Sequence, residues 1–309
     1  MLNLKDAAGG NQGKTRARKT ARASRLDRCG EWALKGAAVA VLVDYHNHTP
    51  LCNHAEGEPL QYVQRAIALG LAEIGFSEHS PWMVQKPNER LAPTDEEFAR
   101  FVETIQALQR RYNDDPASPI RIRLGIEMDF VPDRLDRARV YLRKYPWDYV
   151  IGSVHHLDSW GFDNPAYVAE FDRRDIGEVY QEYFGMVADM AATGFFDTVG
   201  HVDLIKKFGH RPAADLRPLY RRLASLIKRG DMVVELNTSG RDKEAREFYP
   251  APALLEALAA EEVPITLGSD AHAPEQVGRY FGEAREWLLS AGVREIVAFE
   301  KRRRRFIPL

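Results

Sequence analysis

The sequence predicts an α/β protein built on a parallel sheet, and two patterns carry that expectation. Seven short β-branched runs alternate with longer helical patterns from residue 39 onward. Eight of the nine histidines fall at or just after the C-terminal end of one of those runs. Parallel strands need a crossover connection, usually a helix, so strand-then-helix repetition implies a parallel arrangement. An open doubly wound sheet and a closed barrel both satisfy this alternation.

In chain order the strands are expected over 39–46, 72–78, 120–129, 148–155, 197–203, 232–238 and 264–270. Helical patterns fill the intervals near 58–70, 94–112, 133–144, 174–194, 213–229, 250–261 and 274–291. Thr94 followed by Glu97 predicts a capping box at the start of the second helix. The closing run, 295–309, holds Arg302 to Arg305 yet ends Phe306-Ile307-Pro308-Leu309, which predicts a last strand or packed tail.

Composition narrows the class. With 45% hydrophobic and 28% charged residues over 309 positions, the chain is neither disordered throughout nor fibrous. Its formal net charge of -2 gives no global reason to expect a nucleic-acid partner. Residues 1–38 carry nine basic and three acidic side chains, a net +6, so the rest of the chain carries -8. That segment lacks a hydrophobic period and is expected to be a basic, disordered tail preceding a domain over 39–309. Gly13-Lys14-Thr15 ends like a phosphate-binding loop, but Ala8 stands where the motif's first glycine belongs, and no strand precedes it. Two cysteines, Cys29 and Cys52, argue against a disulfide framework and fit a reducing cytoplasm. The apolar run 37–43 is too short to span a membrane and lacks the layout of a signal peptide.

Chemistry enters with the histidines. His46 and His48 close the first run, and His54 follows in the loop. His79, Glu127 and His155 close the second, third and fourth, His201 lies in the fifth, and Asp270 and His272 close the seventh. In a parallel barrel or sheet the C-terminal strand ends share one face, where active sites are built. Residues i and i+2 of a strand point to one side, so the His46-x-His48 pair can reach a single ion. Imidazole with carboxylate suits zinc, manganese or iron. Seven histidines and two carboxylates exceed what one ion can use, so two or three divalent ions are expected, with Glu127 bridging. His156, adjacent to His155, points the other way on a strand and reads as packing or as a donor behind the ligands. His210 reads as a loop residue, and Cys52 as a small buried thiol.

The series Asp44-x-His46-x-His48-Thr49, Cys52-x-His54-Ala55, Ser77-Glu78-His79, Gly125-Ile126-Glu127, Gly152-Ser153-Val154-His155, Gly200-His201-Val202-Asp203 and Gly268-Ser269-Asp270-Ala271-His272 resembles the polymerase-and-histidinol-phosphatase (PHP) superfamily. Within it the chain is similar to the monofunctional histidinol-phosphate phosphatases. Softer features point the same way: His79-Ser80-Pro81-Trp82, the segment from His201 to Phe208, and Glu235-x-Asn237-x-Ser239-Gly240-Arg241 with Tyr249-Pro250. The resemblance covers about residues 41–309 and implies a distorted (β/α)7 TIM-like barrel, the PHP fold, with a trinuclear metal centre. It implies His46, His48, Glu127 and Asp270 around one ion, Glu127, His155 and His201 around a second, and His54, His79 and His272 around a third. Zinc is the first expectation, with manganese or iron as alternatives.

The expected activity is metal-dependent hydrolysis of a small phosphomonoester, L-histidinol phosphate, by attack of a metal-bridging hydroxide. Glu127, Asp270 and His272 are the expected catalytic positions. Three divalent ions offset by two ligand carboxylates leave about +4, which attracts a phosphate dianion. Arg241 with Lys206 or Lys207 would complete the anion clamp. A nucleotide or oligonucleotide end is the competing phosphoester, but a nuclease groove calls for basic and aromatic walls, and the -8 body lacks that charge. A non-catalytic metal-binding module would have lost ligands, and none of the nine positions is missing.

Overall fold

A computed structural model describes residues 42–81 and 90–309. The expected tail over 1–38, with its Gly13-Lys14-Thr15 sequence, and Trp82 lie outside the described residues. The elements follow in order: β1 (Val43–Asp44), α1 (Pro59–Leu69), β2 (Glu73–Phe76), α2 (Asp95–Asn113), β3 (Arg121–Asp129), α3 (Leu135–Lys144) and β4 (Tyr149–Ser153). A small hairpin of β5 (His156–Leu157) and β6 (Trp160–Gly161) comes next, and then α4 (Ile176–Ala192) and β7 (Thr198–Val199). The chain continues through α5 (Arg217–Arg229), β8 (Val233–Asn237), α6 (Pro252–Ala260), β9 (Ile265–Gly268), α7 (Phe281–Ser290), β10 (Glu295–Glu300) and β11 (Arg303–Pro308).

Every strand run read from the sequence is present, and all seven pair in parallel in the order β1-β2-β3-β4-β7-β8-β9. The two ends then meet. Tyr45 N donates to Leu267 O at 3.1 Å, His48 N to Ala271 O at 2.9 Å and Ala271 N to His46 O at 3.1 Å. Those bonds close the sheet, which decides between the open sheet and the barrel. Asp44 strengthens the seam: its buried carboxylate accepts from Ser269 N at 2.9 Å, Ser269 Oγ at 2.6 Å and Gly278 N at 2.9 Å.

The helices form where their ends are satisfied. Thr94 Oγ1 accepts from Glu97 N at 3.2 Å and the Glu97 carboxylate accepts from Thr94 N at 2.9 Å, so the predicted capping box starts α2. Its buried stripe, Phe98, Phe101, Val102, Ile105 and Leu108, follows the helical period and faces the barrel. Among the described residues no helix is long and apolar enough to cross a membrane.

Side chains fill the lower barrel. Tyr45, Tyr149 and Phe299 are fully buried with ring centroids 4.8 to 6.1 Å apart. Gly75 and Gly125 make that possible, since a Cβ at either would overlap the Tyr149 ring. The C-terminal run is a β10–β11 antiparallel hairpin rather than a single strand. It plugs the floor at the N-terminal strand ends. Phe299 N donates to Tyr45 Oη at 3.0 Å, Lys301 N to Asp148 Oδ1 at 3.0 Å, and Arg302 Nε to Asp197 Oδ2 at 2.8 Å. Glu73 accepts from Tyr45 Oη at 2.7 Å and Arg123 Nε at 2.6 Å, and also pairs with Arg305.

Candidate metal centre

At the other end of the barrel the strands deliver the predicted histidines to one mouth. Backbone pairing of Asn47 with Ala271 keeps the chain extended beyond β1, so His46 and His48 fall on one side with ring centroids 5.1 Å apart. His79 leaves β2 through a bridge to Glu127, which sits near the end of β3. His155 and His201 follow β4 and β7, and Asp270 and His272 follow β9. His54, in the loop after β1, reaches the rim, where its ring stacks on His272 at 4.7 Å and stands 5.7 Å from His79.

Glu127 is the hub. Its Oε2 lies 2.8 Å from His79 Nδ1, 3.4 Å from His46 Nε2 and 3.6 Å from His48 Nε2. Its Oε1 lies 3.0 Å from His201 Nε2 and 3.4 Å from His155 Nε2, and accepts from Ser153 Oγ at 2.6 Å. Asp270 Oδ1 stands 3.4 Å from His48 Nε2, 3.6 Å from His272 Nδ1 and 3.8 Å from His46 Nε2. All nine predicted ligand positions therefore converge, and Glu127 spans the groups expected around two different ions.

The donor set fits metal ions. His46 Nε2, both nitrogens of His48, His79 Nδ1 and Glu127 Oε2 are buried without a hydrogen bond among the described residues. His79 Nδ1 and Glu127 Oε2 are close yet misaligned for one. Buried polar atoms without partners are costly, and all of these except His48 Nδ1, which faces Glu78, crowd one space, so that space calls for a ligand that accepts several lone pairs. Groups such as His46-His48-Glu127, His46-His201-Asp270 and His48-His79-His272 each bring three ligand atoms within 4.8 Å of one another.

In the metal-free protein the charges brace each other. Burial opposes ionisation of Glu127, but the imidazoles of His46, His79 and His155 hold its carboxyl well below the usual carboxylate range. Asp270 is held low in the same way, against its burial, by His46, His48 and His272. Desolvation and the neighbouring His79 and His48 push the His54 imidazole down to about 4.

A ring of carboxylates behind the ligands fixes their orientation. Glu235, buried in β8, stands 2.7 Å from His46 Nδ1 and accepts from His201 N at 2.8 Å. Asp129 stands 2.6 Å from His155 Nδ1. Glu78 accepts from Thr49 N and His79 N, both at 2.9 Å, and lies 3.6 Å from His48 Nδ1. A carboxylate on one imidazole nitrogen turns the other towards the metal space. Gly268 leaves room for this: a Cβ there would overlap Glu235 and crowd His46. Sequence reasoning assigned no role to Glu235 or Asp129, although each left a signal. Glu235 interrupts the apolar run Val233-Val234-Leu236, and Asp129 lies two positions from Glu127 on the same strand face.

The expected anion clamp needs correction. Lys206 is buried away from the mouth, where its ammonium donates to Phe248 O at 2.7 Å and pairs with Asp203 at 2.9 Å and Glu247 at 3.3 Å. Arg241 points outward to Glu283 at 3.3 Å and Arg246 O at 3.2 Å. Lys207 does line the mouth, together with two cations the sequence reading did not single out, Lys243 and Arg279. The Lys243 ammonium makes no hydrogen bond or ion pair among the described residues, and burial and nearby Lys207 lower its pKa. These three and seven of the nine expected ligand residues, all but His46 and His48, line a cavity of about 320 Å³. His156 is half-buried in β5, and His210 stacks on Phe171 at 4.4 Å in a loop, as expected. The Cys52 thiol is buried, and desolvation and Glu78 push it up to about 12, so it stays protonated.

Comparison with known proteins agrees with this geometry. The PHP domain family model matches residues 44–239. A probable histidinol-phosphatase of Deinococcus radiodurans is 41% identical over 259 residues, 82% of this chain and 95% of that protein. The histidinol-phosphatase of Bacillus subtilis is 28% identical over 261 residues, 76% of this chain and 95% of that one. Among solved structures, the histidinol phosphate phosphatase of Lactococcus lactis, complexed with zinc, L-histidinol and phosphate, superposes with a TM-score of 0.72 at 24% identity. That match covers 85% of this chain and 98% of the other, and it supports the distorted barrel. The chain belongs to the PHP domain family.

Proposed function

We propose that the protein is a metal-dependent phosphomonoesterase that hydrolyses L-histidinol phosphate to L-histidinol and phosphate, a step of histidine biosynthesis in the cytoplasm. The observation that carries this reading is the convergence of seven imidazoles and two carboxylates on one mouth, beside cations that suit a phosphate dianion. The relatives' shared activity supports the substrate. We assign the catalytic unit to residues 39–309 and two or three divalent ions to the mouth, zinc first, with manganese or iron as alternatives.

His46, His48, Glu127 and Asp270 would hold one ion, Glu127, His155 and His201 a second, and His54, His79 and His272 a third. When bound, divalent ions supply Lewis-acid polarisation of the phosphoryl oxygens and lower the pKa of water. The chain's own residues do the rest. Glu235, Asp129 and Glu78 fix imidazole orientation before substrate arrives, so little reorganisation is needed during the reaction. Lys243, whose ammonium has no partner among the described residues, would face the phosphoryl group, and Lys207 and Arg279 add positive charge beside it. Asp270 and His272 line the mouth, where the leaving alkoxide would gain its proton.

The test is phosphate release by chelator-stripped protein before and after zinc or manganese is restored. L-histidinol phosphate is compared with 4-nitrophenyl phosphate and a nucleoside monophosphate. A metal-restored preference for L-histidinol phosphate is expected, and equal weak release from all three would remove the substrate assignment.

A further inference from the structure

The mouth opens sideways into a second chamber of about 270 Å³, and His54, His79, His155, Asp163 and Lys207 line both spaces. Leu91, Pro165 and Tyr167 give the second chamber an apolar wall. Asp163 is the one carboxylate lining it among the described residues. On the shared wall, Lys207 Nζ donates to the Asp163 main-chain oxygen at 2.6 Å and lies 3.3 Å from Oδ2. Asp163 Oδ1 has no hydrogen-bond partner among the described residues.

A phosphomonoester whose ester carbon adjoins an ammonium-bearing carbon carries opposite charges a few bonds apart. With its phosphoryl group at the mouth, such a substrate would carry its ammonium only a few bonds away, beside the wall that the two chambers share. We infer that Asp163 and Lys207 form a substrate-sensing pair. The substrate's ammonium takes the Asp163 carboxylate, Lys207 is released from it, and the freed lysine turns to the phosphoryl group. Recognition of the leaving group thereby adds a cation where the transferred phosphoryl group needs it. The inference rests on the phosphomonoesterase reading and adds to it the chemistry selected in the leaving group, a primary ammonium beside the ester.

Three substrates separate the effects: L-histidinol phosphate, its analogue lacking the amino group, and 4-nitrophenyl phosphate, each assayed with metal-restored protein. In Asp163→Asn, kcat/KM for L-histidinol phosphate should fall by about 10- to 100-fold, the span of a charge-assisted hydrogen bond. For the analogue and the aryl phosphate it should rise, because Lys207 then loses its carboxylate partner and keeps only the bond to the Asp163 main-chain oxygen. Lys207→Met should lower all three. Calorimetric affinity for L-histidinol, which needs no turnover, should weaken in Asp163→Asn by a similar factor. An equal fall for every substrate in Asp163→Asn, or unchanged L-histidinol affinity, would overturn the pair. Wild-type protein that releases phosphate from none of the three would instead overturn the phosphomonoesterase reading, and the L-histidinol titration would still decide the role of Asp163.

Discussion

At the floor of the barrel Glu73, Asp148 and Asp197 each end on donors, whereas at the mouth His46 Nε2, His48 Nε2, His79 Nδ1 and Glu127 Oε2 face one another without completing hydrogen bonds among the described residues. Both regions bury charge. The floor compensates it within the chain: Asp148 accepts from Leu124 N at 2.9 Å, Gln109 Nε2 at 2.8 Å and Lys301 N at 3.0 Å, so the turn of the C-terminal hairpin is tied to β3 and α2 through one carboxylate. At the mouth the deficit is left open, and only ions from outside can fill it. The difference teaches that an incomplete network can be a binding site when the same fold completes its other networks.

Substitutions at the two ends should therefore fail in different ways. Glu127→Gln removes the hub, and kcat/KM for L-histidinol phosphate should fall on the order of 10³-fold or more, with metal content falling in parallel. Full activity with normal metal content would break the comparison at once. At the floor, Glu73→Gln leaves the buried Arg123 with only the exposed Glu300 as a carboxylate partner and should cost about 3 kcal/mol in urea unfolding of the metal-free protein. The folded fraction should keep its kcat. A loss of turnover without a loss of stability would show that the floor takes part in the chemistry.

Between these extremes lie the carboxylates behind the ligands. Glu235→Gln should weaken metal binding by about 10- to 100-fold, read by competition with a chelating dye, because His46 loses the partner that orients it. Unchanged affinity would mean that packing alone fixes His46. The smallest effects concern the cations. Lys243→Met should raise KM by about 10-fold, the value of one charge-assisted contact, whereas Arg241→Ala should stay within about twofold. The reverse pattern would restore Arg241 to the phosphate site.

How much of this was legible in the sequence depended on whether the signal was local. Strand positions and the convergence of the nine expected ligand positions on one mouth followed from β-branched runs and from what stood at their ends. Among the described residues of the expected 39–46 run, pairing is limited to Val43–Asp44, with a bridge at Asn47 just beyond it, and the i, i+2 rule placed His46 and His48 together. Closure of the barrel was not legible, because it depends on bonds between Tyr45 and Leu267, more than two hundred residues apart in the chain. The hairpin at 295–309 was missed for a local reason. Its turn uses Lys301 and Arg302 at φ 50° and 61°, where glycine or asparagine would have signalled it. The two adjacent lysines were indistinguishable by sequence, since a 3-10 turn over Leu204–Lys206 sends Lys206 into the Asp203 pair and leaves Lys207 at the mouth.

The most direct test of the account is a zinc or manganese titration of chelator-stripped wild-type protein and Glu127→Gln, followed by calorimetry. The account predicts that wild type binds more than one ion per chain and that Glu127→Gln loses at least one of them with its floor, and so its metal-free unfolding cooperativity, intact. Binding of a single ion, or identical titrations for the two proteins, would contradict it.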